Sequence, residues 1–373
     1  MIGMDKTSIA FVTSLPAWGG GEKWFLDAAR AMASRGHRVL VVGQPGGEIV
    51  RRARAAGLDA RGVAMAGILD PRTLWTLGRL LRRERIRVAV ANQAREIRLV
   101  GLSQLGRAGF RLVVRRGSPD PIKDNWHFRL VYTHLVDRLI VNCRALVGKV
   151  CDGAPWFDRR KVSVIPNGID AEDLRRAADP DAARATLDLP AGAHVMSMVG
   201  EVGPRKDQET FLRGIARWRR AGARVDAVFL IAGDGPPGET KRLRALGAEL
   251  GLDDGTVRWL GFRDDVPSLL AASDIVVLPS REEGFPNTLL EAMALGVPVI
   301  GTPVDGIPEL VVDNVSGLLV PVGDEAALAG ALARLLDDAE LRRTMGAAAA
   351  NRVRSSFDQA AMMDRVEAVL AGR

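Results

Sequence analysis

The chain has 373 residues, 47% of them apolar, with 52 Lys and Arg against 45 Asp and Glu for a formal net charge of +7. That composition excludes a disordered chain, and the length predicts two domains, each with its own core. No apolar run reaches the roughly 20 residues of a membrane-spanning helix. The opening Met1-Ile2-Gly3-Met4-Asp5-Lys6 leads into a short apolar stretch without a signal-peptide layout. It predicts a cytoplasmic protein, at most peripheral at the inner face of a membrane. Cys143 and Cys151 fit neither a zinc site nor a disulfide framework and read as reduced structural thiols.

Charge is unevenly spread. Residues 1–167 carry 29 Lys and Arg against 13 Asp and Glu, whereas the remainder carries 23 against 32. A basic first half favours anionic partners. The candidate contacts are Arg51-Arg52-Ala53-Arg54, the run Arg79 to Arg87, and Arg115-Arg116. Aromatic residues total 5% and do not interleave with these basic runs, which argues against nucleic acid and for peripheral contact with an anionic membrane. The plain alternative is a solvated, Arg-rich face.

In chain order, Ile9–Ser14, Val39–Val42 and Val88–Ala91 read as strands, and Glu22–Ser34, Leu74–Glu84 and Trp126–Asp137 as helices. Leu112–Val114, Leu139–Val141 and Val162–Ile165 continue the strands. Pro166-Asn167-Gly168-Ile169-Asp170 is a concentrated turn signal, followed by a polar connector read as loop. The alternation then restarts with strands at Val195–Val199, Ala227–Ile231, Val257–Leu260, Ile275–Leu278, Val297–Ile300 and Gly317–Val320. The fold class is therefore α/β, with two Rossmann-like, doubly wound parallel-sheet halves joined near residue 167. Such sheets bind ligands beyond the carboxyl ends of their strands, and two of them facing each other would frame a central cleft.

The most informative segment is Glu283-Gly-Phe-Pro-Asn-Thr-Leu-Leu-Glu291. It follows the apolar run Ile275–Pro279 and enters a helix-forming stretch that Gly296 and Pro298 stop. Glu283 falls in the strand-to-helix loop and Glu291 about one turn inside the helix. Ionised carboxylates accept hydrogen bonds and match vicinal hydroxyls, while the first-turn amides of Asn287, Thr288 and Leu289 suit an anion. Pro286 has no N–H to give. Gly200-Glu201-Val202-Gly203-Pro204-Arg205-Lys206-Asp207 places two cations after a strand and a Gly-rich turn, and Gly19-Gly20-Gly21-Glu22 opens a helix after the first strand. Gly233-Asp-Gly-Pro-Pro-Gly238 matches G-x-G-x-x-G literally, but Pro236 and Pro237 remove amides that a pyrophosphate would need. No P-loop, H-E-x-x-H, G-x-S-x-G or clustered metal-ligand set occurs, and Asp179-Pro180-Asp181 lies in the polar connector, so no metal and no resident cofactor are expected.

The order and spacing of these pieces, with Val164–Asp170, Ile231–Pro236, Leu260-Gly261-Phe262 and Asp305–Glu309, resemble the retaining GT-B glycosyltransferases of family 4. The resemblance spans nearly the whole chain and is strongest over residues 160–325. It implies an acceptor-binding domain at 1–167, a donor-binding domain at 168–356, and a terminal helix at 357–373 that packs back on the first domain. The implied reaction moves a sugar from a nucleoside-diphosphate sugar to a hydroxyl of a glycan or lipid-linked acceptor, with retention, in cell-surface polysaccharide, lipopolysaccharide or glycolipid synthesis. Glu283 would contact the transferred sugar and Glu291 the ribose, while Arg205 and Lys206 would hold the diphosphate. Gly20, Gly21, Gly200, Gly235, Phe262, Arg263, Gly284, Phe285, Asn287, Thr288 and Leu289 would line the donor, and Glu22 and His127 would lie on the acceptor side. One departure stands out: relatives commonly carry His after the strand Leu112–Val114, where this chain has Arg116 before Gly117. Arginine stays protonated, so it serves as a phosphate or donor-oxygen ligand and not as a base. His37 is expected to be structural. The alternatives are a GT-B nucleotide-sugar epimerase or hydrolase, and a non-catalytic protein that binds anionic surfaces.

Overall fold

The computed structural model describes residues 6–65, 67, 70–104, 109–222 and 225–372, so most of the opening hexapeptide lies outside the described residues. The chain divides into two compact units, residues 1–167 with 360–373 and residues 168–359. Each is built around one parallel sheet.

In the first unit the strands are β1 (Ser8–Val12), β2 (Arg38–Gly43), β3 (Asp59–Gly62), β4 (Val88–Ala91), β5 (Arg111–Arg116), β6 (Val136–Val141) and β7 (Val162–Val164). Their order is β3-β2-β1-β4-β5-β6-β7. The chain runs outward from β1 in one direction and then returns to start again at β4. The crevice between those two strands is the topological switch point. The core is apolar throughout, with Ile9, Phe11, Val41, Val90, Val113 and Ile140 from the sheet packed against Phe25, Ala28 and Met32 of the helix Gly20–Ser34. Into the same core the helix Gln359–Ala371 inserts Met362, Met363, Val366, Val369 and Leu370. Its outer side is tied by Arg35 to Asp364 at 2.6 Å and by His37 Nε2 to Glu367 at 2.8 Å. The backbone N–H of Thr7 donates to His37 Nδ1 at 3.2 Å, so Nε2 carries the proton toward Glu367.

The second unit holds β8 (His194–Val199), β9 (Ala227–Ala232), β10 (Val257–Gly261), β11 (Ile275–Leu278), β12 (Val299–Gly301) and β13 (Leu318–Leu319), in the order β10-β9-β8-β11-β12-β13. Its switch point lies between β8 and β11, which pair through Ile275 with Met196 and Val276 with Ser197.

One strand was not expected, and three expectations need correction. The strand β3 reads Asp-Ala-Arg-Gly, with only Ala60 buried, and carries no apolar alternation to announce it. The stretch Trp126–Asp137 is not one helix. A short helix, Trp126–Leu130, passes into a π-helical turn at Val131–Leu135 and then into β6. The polar connector is not loop: it forms the helices Ala171–Ala177 and Pro180–Thr186, and Asp179 caps the second by accepting from Ala182 N at 2.9 Å. Finally, Arg115 and Arg116 are only 4% and 8% exposed, so neither offers a surface for an anionic partner. The cysteines are both buried and free.

Candidate active site

Three strand ends of the second unit converge on one residue, Glu283. After β11 the chain passes through Ser280 to Glu283, and Ser280 Oγ donates to Glu283 Oε1 at 2.8 Å. The loop after β8 brings Lys206, whose Nζ forms a close ion pair with the same oxygen. The loop after β12 brings Asp305, which accepts from the Glu283 backbone N–H at 2.9 Å. Glu283 is 5% exposed, so this pair is shielded from bulk water. The two charged groups therefore face each other across the β8/β11 switch point, the place where this sheet type receives ligands.

The supporting contacts explain why the loops hold this shape. Asp305 has φ +46°, a left-handed conformation costly for a residue with a Cβ. Gly306 N donates to Gly284 O at 3.0 Å, and Thr302 Oγ1 donates to Ser280 O at 2.5 Å. Asp207, also left-handed at φ +58°, caps the helix Gln208–Arg220 by accepting from Thr210 N and Oγ1. Its other partner is Arg281, at 2.9 Å, while Arg281 N donates to Arg205 O at 2.8 Å. Lys206 is thus fixed between a capped helix and a loop anchored from the neighbouring strand. Arg205 is half exposed and lies 3.9 Å from Glu282, a loose surface pair that leaves its guanidinium able to move.

The helix after Glu283 runs from Asn287 to Ala294. Its first backbone bond is Leu290 N to Pro286 O, so the amides of the turn before it have no acceptor within the helix. Thr288 Oγ1 donates to Val199 O at 3.1 Å, which ties this helix start to the end of β8. Glu291 is buried one turn along. Leu289 is fully buried and Phe285 packs on Phe357 with ring centroids 5.3 Å apart, so both side chains belong to the core. Beyond β10, Phe262 is 56% exposed, and Arg263 is held by Asp265 through two bonds of 2.7 and 2.5 Å. Gly200, Gly233 and Gly235 serve a close backbone crossing: a Cβ on Gly233 would lie 1.9 Å from Gly200 O, and one on Gly235 2.0 Å from Val202 O.

The first unit gathers polar groups at its own switch point. Glu22 is buried in the first turn of its helix and accepts from Thr13 Oγ1 at 3.1 Å. Burial raises its carboxyl above the usual range, against the opposing pull of Arg115. Gly20 and Gly21 form the helix start itself, and a Cβ on Gly21 would sit 2.5 Å from Asn92 Nδ2. Glu96, fully buried, accepts from Ser14 Oγ at 2.6 Å and from the Gln93 backbone N–H, and burial pushes its carboxyl up to about 7. Arg115 donates to Asn167 at 3.0 Å and lies over the Trp24 ring, with burial bringing it down to about 10. Arg116 ends β5 and donates to Asp120 O at 2.6 Å. His127 is half-buried beside Trp126, whose ring centroid is 4.6 Å away. Thr13, Ser14 and Glu96, like Ser280 and Asp305 in the other unit, were not singled out from sequence, and Arg115 was expected only as a surface contact. Among them only Asp305 sat in a segment with a recognisable pattern. Among the described residues, no three His, Cys, Asp or Glu side chains gather as a metal-binding group.

Two parallel-sheet α/β units, one of 7 and one of 6 strands, are the architecture of the GT-B fold. Comparison with known proteins agrees. The profile of the Glycosyltransferase Family 4 matches residues 18–173 and that of the Glycosyl transferases group 1 matches residues 193–338. The chain belongs to the GT-B glycosyltransferases of this family. It is 39% identical over 197 residues to 2-deoxystreptamine N-acetyl-D-glucosaminyltransferase of Streptomyces fradiae, covering 52% of this chain and 46% of that one. With the lipopolysaccharide core biosynthesis glycosyltransferase LpsE of Rhizobium meliloti it shares 28% identity over 95% of this chain and 96% of the relative. The matches to the first curated relatives span about half of their length, 46–49%. Among solved structures, HepE of Anabaena in complex with UDP-glucose superposes with a TM-score of 0.84 at 22% identity, covering 98% of this chain and all of that one. A glycosyltransferase of Rickettsia africae gives 0.86 at 17% identity, covering 99% of both chains. No helix among the described residues is long and apolar enough to cross a membrane.

Proposed function

We propose that this protein transfers a sugar from a nucleoside-diphosphate sugar to a hydroxyl of a glycan or lipid-linked acceptor, with retention of configuration and without a metal ion. The observation that carries this reading is the Lys206–Glu283 pair at the β8/β11 switch point, beside the start of the helix Asn287–Ala294. The names of relatives support it: one is a lipopolysaccharide core glycosyltransferase, another a UDP-Gal:alpha-D-GlcNAc-diphosphoundecaprenol alpha-1,3-galactosyltransferase of Escherichia coli, and HepE is seen with UDP-glucose.

In this reading the second unit takes the donor and the first unit the acceptor. Glu283 accepts hydrogen bonds from the sugar hydroxyls and Glu291 from the ribose. Lys206, Arg205 and the first-turn amides of the helix hold the diphosphate, with Gly200, Gly284 and Asn287 lining its path and Phe262 and Arg263 flanking the nucleobase. As the sugar–phosphate bond breaks, negative charge grows on the leaving phosphate. Fixed cations and amides stabilise that charge by several kcal/mol in a water-poor site, the service a metal supplies elsewhere. No nucleophile is called for: the acceptor attacks the face the phosphate is leaving, and a phosphate oxygen takes its proton. Glu22 and His127 belong to the acceptor side, and Arg116 serves as a hydrogen-bond donor to phosphate or a donor oxygen.

Glu283→Gln tests this reading. The amide keeps the volume and the Ser280 contact but loses the charge that faces Lys206 and the sugar. Transfer should fall by about 100-fold or more with an unchanged circular dichroism spectrum. Transfer within about twofold of wild type in that variant contradicts the proposed role.

A further inference from the structure

We propose that Arg281 is a positioning residue for the diphosphate cations: its guanidinium holds Asp207, and through Asp207 the backbone that carries Arg205 and Lys206. The inference rests on the donor-binding reading above. Arg281 lies on the loop after β11, just before Glu283, and reaches across to the loop after β8. Its backbone N–H donates to Arg205 O at 2.8 Å, and its Nη2 lies 2.9 Å from Asp207 Oδ2. These contacts fall on the residues either side of Lys206. One residue of the Glu283 loop therefore grips the Lys206 loop at both flanks.

Although the Arg281 side chain is half exposed, its partner is buried, and among the described residues Arg281 is the ion-pair partner of Asp207. A buried carboxylate left without its cation is costly, so this pair differs from the exposed pairs of the surface. Asp207 also stands at φ +58°, and a strained turn persists only where its surroundings over-determine it. The loop's own bonds, from Lys206 N and Asp207 N to Gly203 O at 3.0 and 3.3 Å, close the turn but do not set its place relative to Glu283. Nor does the sheet ladder, which pairs Ile275 with Met196 and Val276 with Ser197, upstream of both loops. The loop after β13 backs the guanidinium: a Cβ on Gly323 would lie 3.5 Å from Arg281 Nη2.

The two loops also meet through the Lys206–Glu283 pair and the loose Arg205–Glu282 contact. Those are the contacts that donor binding disturbs, because both cations turn toward the diphosphate while Glu283 takes up sugar hydroxyls. A loop held by them alone would drift as they open. Arg281 supplies a tie that uses neither cation and leaves Glu283 free, so the cations keep their places when the donor arrives. That is preorganisation of the charge that stabilises the leaving phosphate.

The test compares the full chain as wild type, Arg281→Ala, Asp207→Asn and the double variant. Arg213→Ala is the control, removing an exposed ion pair with Glu209 from the helix that Asp207 caps. Asparagine keeps the cap and tolerates the left-handed turn but loses the charge. Amide hydrogen exchange of the free protein reads the loop. Isothermal titration with UDP-, GDP-, ADP- and TDP-sugars reads donor affinity, at a temperature where circular dichroism shows every variant fully folded, so that a mere loss of stability leaves the affinity unchanged. Arg281→Ala should speed exchange at the Lys206 and Asp207 amides by about fivefold or more. It should weaken the donor by about tenfold, Asp207→Asn should do the same, and the double variant should lose no more than about threefold beyond the weaker single variant, because both act through one pair. The control should stay within about twofold of wild type in both readouts. Unchanged exchange in Arg281→Ala, donor affinity within about twofold of wild type in that variant, or losses that multiply to about 100-fold in the double variant overturns the proposal, the last because Arg281 then touches the donor itself. Faster exchange in Arg281→Ala when wild type binds none of the donors supports the Arg281–Asp207 tie and refutes the donor reading, so the two failures are read separately.

Discussion

Glu96 is a fully buried carboxyl of the first unit. Its carboxylate is enclosed between Ser14 and the Gln93 amide, and burial raises it from an ordinary 4.5 to about 7. The folded state therefore keeps its proton to higher pH than the unfolded chain does. The resulting stability is fully present below about 4.5 and is lost as pH rises to about 7. The ceiling on this term is roughly 3 kcal/mol. In Glu96→Gln the amide donates to Ser14 and its oxygen still accepts from Gln93, which mimics the protonated acid. The variant should match wild type near pH 5 and exceed it near pH 8 in chemical-denaturation midpoint of the first unit. A constant difference across that range would show that Glu96 is ionised in the folded state throughout. Sequence gave little warning here. Glu96 reads as an ordinary first-turn helix acid, and its burial depends on Ser14, 82 residues earlier. The same holds for Arg115 and Arg116, whose partners come from Asn167 and from the turn at Asp120. A local pattern cannot carry such distant contacts, whereas Glu283 and Lys206 were legible because each stands in a stretch whose residue types and strand-to-helix setting point to one chemistry.

At the level of elements, most strands were legible because a parallel sheet covered on both faces demands continuous apolar runs, as in Val88–Ala91 and Ile275–Leu278. The exceptions are physical. β3 is a short edge strand that buries one side chain, and the π-helical turn at Val131–Leu135 keeps helical periodicity while ending the α-helix early. The contact between the loops after β8 and β9 makes a further prediction. Gly233, at φ +132°, lies where a Cβ would meet Gly200 O at 1.9 Å. Gly233→Ala should destabilise the second unit by about 3 kcal/mol and displace the loop that presents Lys206. Gly238→Ala, in the first turn of a helix and with no atom within 4 Å of the added Cβ, should be neutral or slightly stabilising. Denaturation midpoints of the two variants check the contrast, and equal midpoints would mean that the backbone crossing yields without cost.

For the whole molecule, the chain leaves the first unit after residue 167 and returns to it at residue 360. The two passages lie side by side: Ile169 N donates to Phe357 O at 2.9 Å and Gln359 N to Ile169 O at 3.2 Å. The returning helix then contributes five buried apolar side chains to the first core, each worth about 2 kcal/mol of burial, so this helix is part of that core. The central claim is that the second unit of this molecule binds a nucleoside-diphosphate sugar through Lys206, Arg205 and Glu283. Isothermal titration of the full chain with UDP-, GDP-, ADP- and TDP-sugars tests it most directly. One of these donors should bind wild type, and Arg205→Ala with Lys206→Ala should weaken it by about 100-fold, the loss of two charge-assisted contacts. Binding of the same donor with equal affinity to the double variant, or of none of the donors to wild type, would contradict the claim.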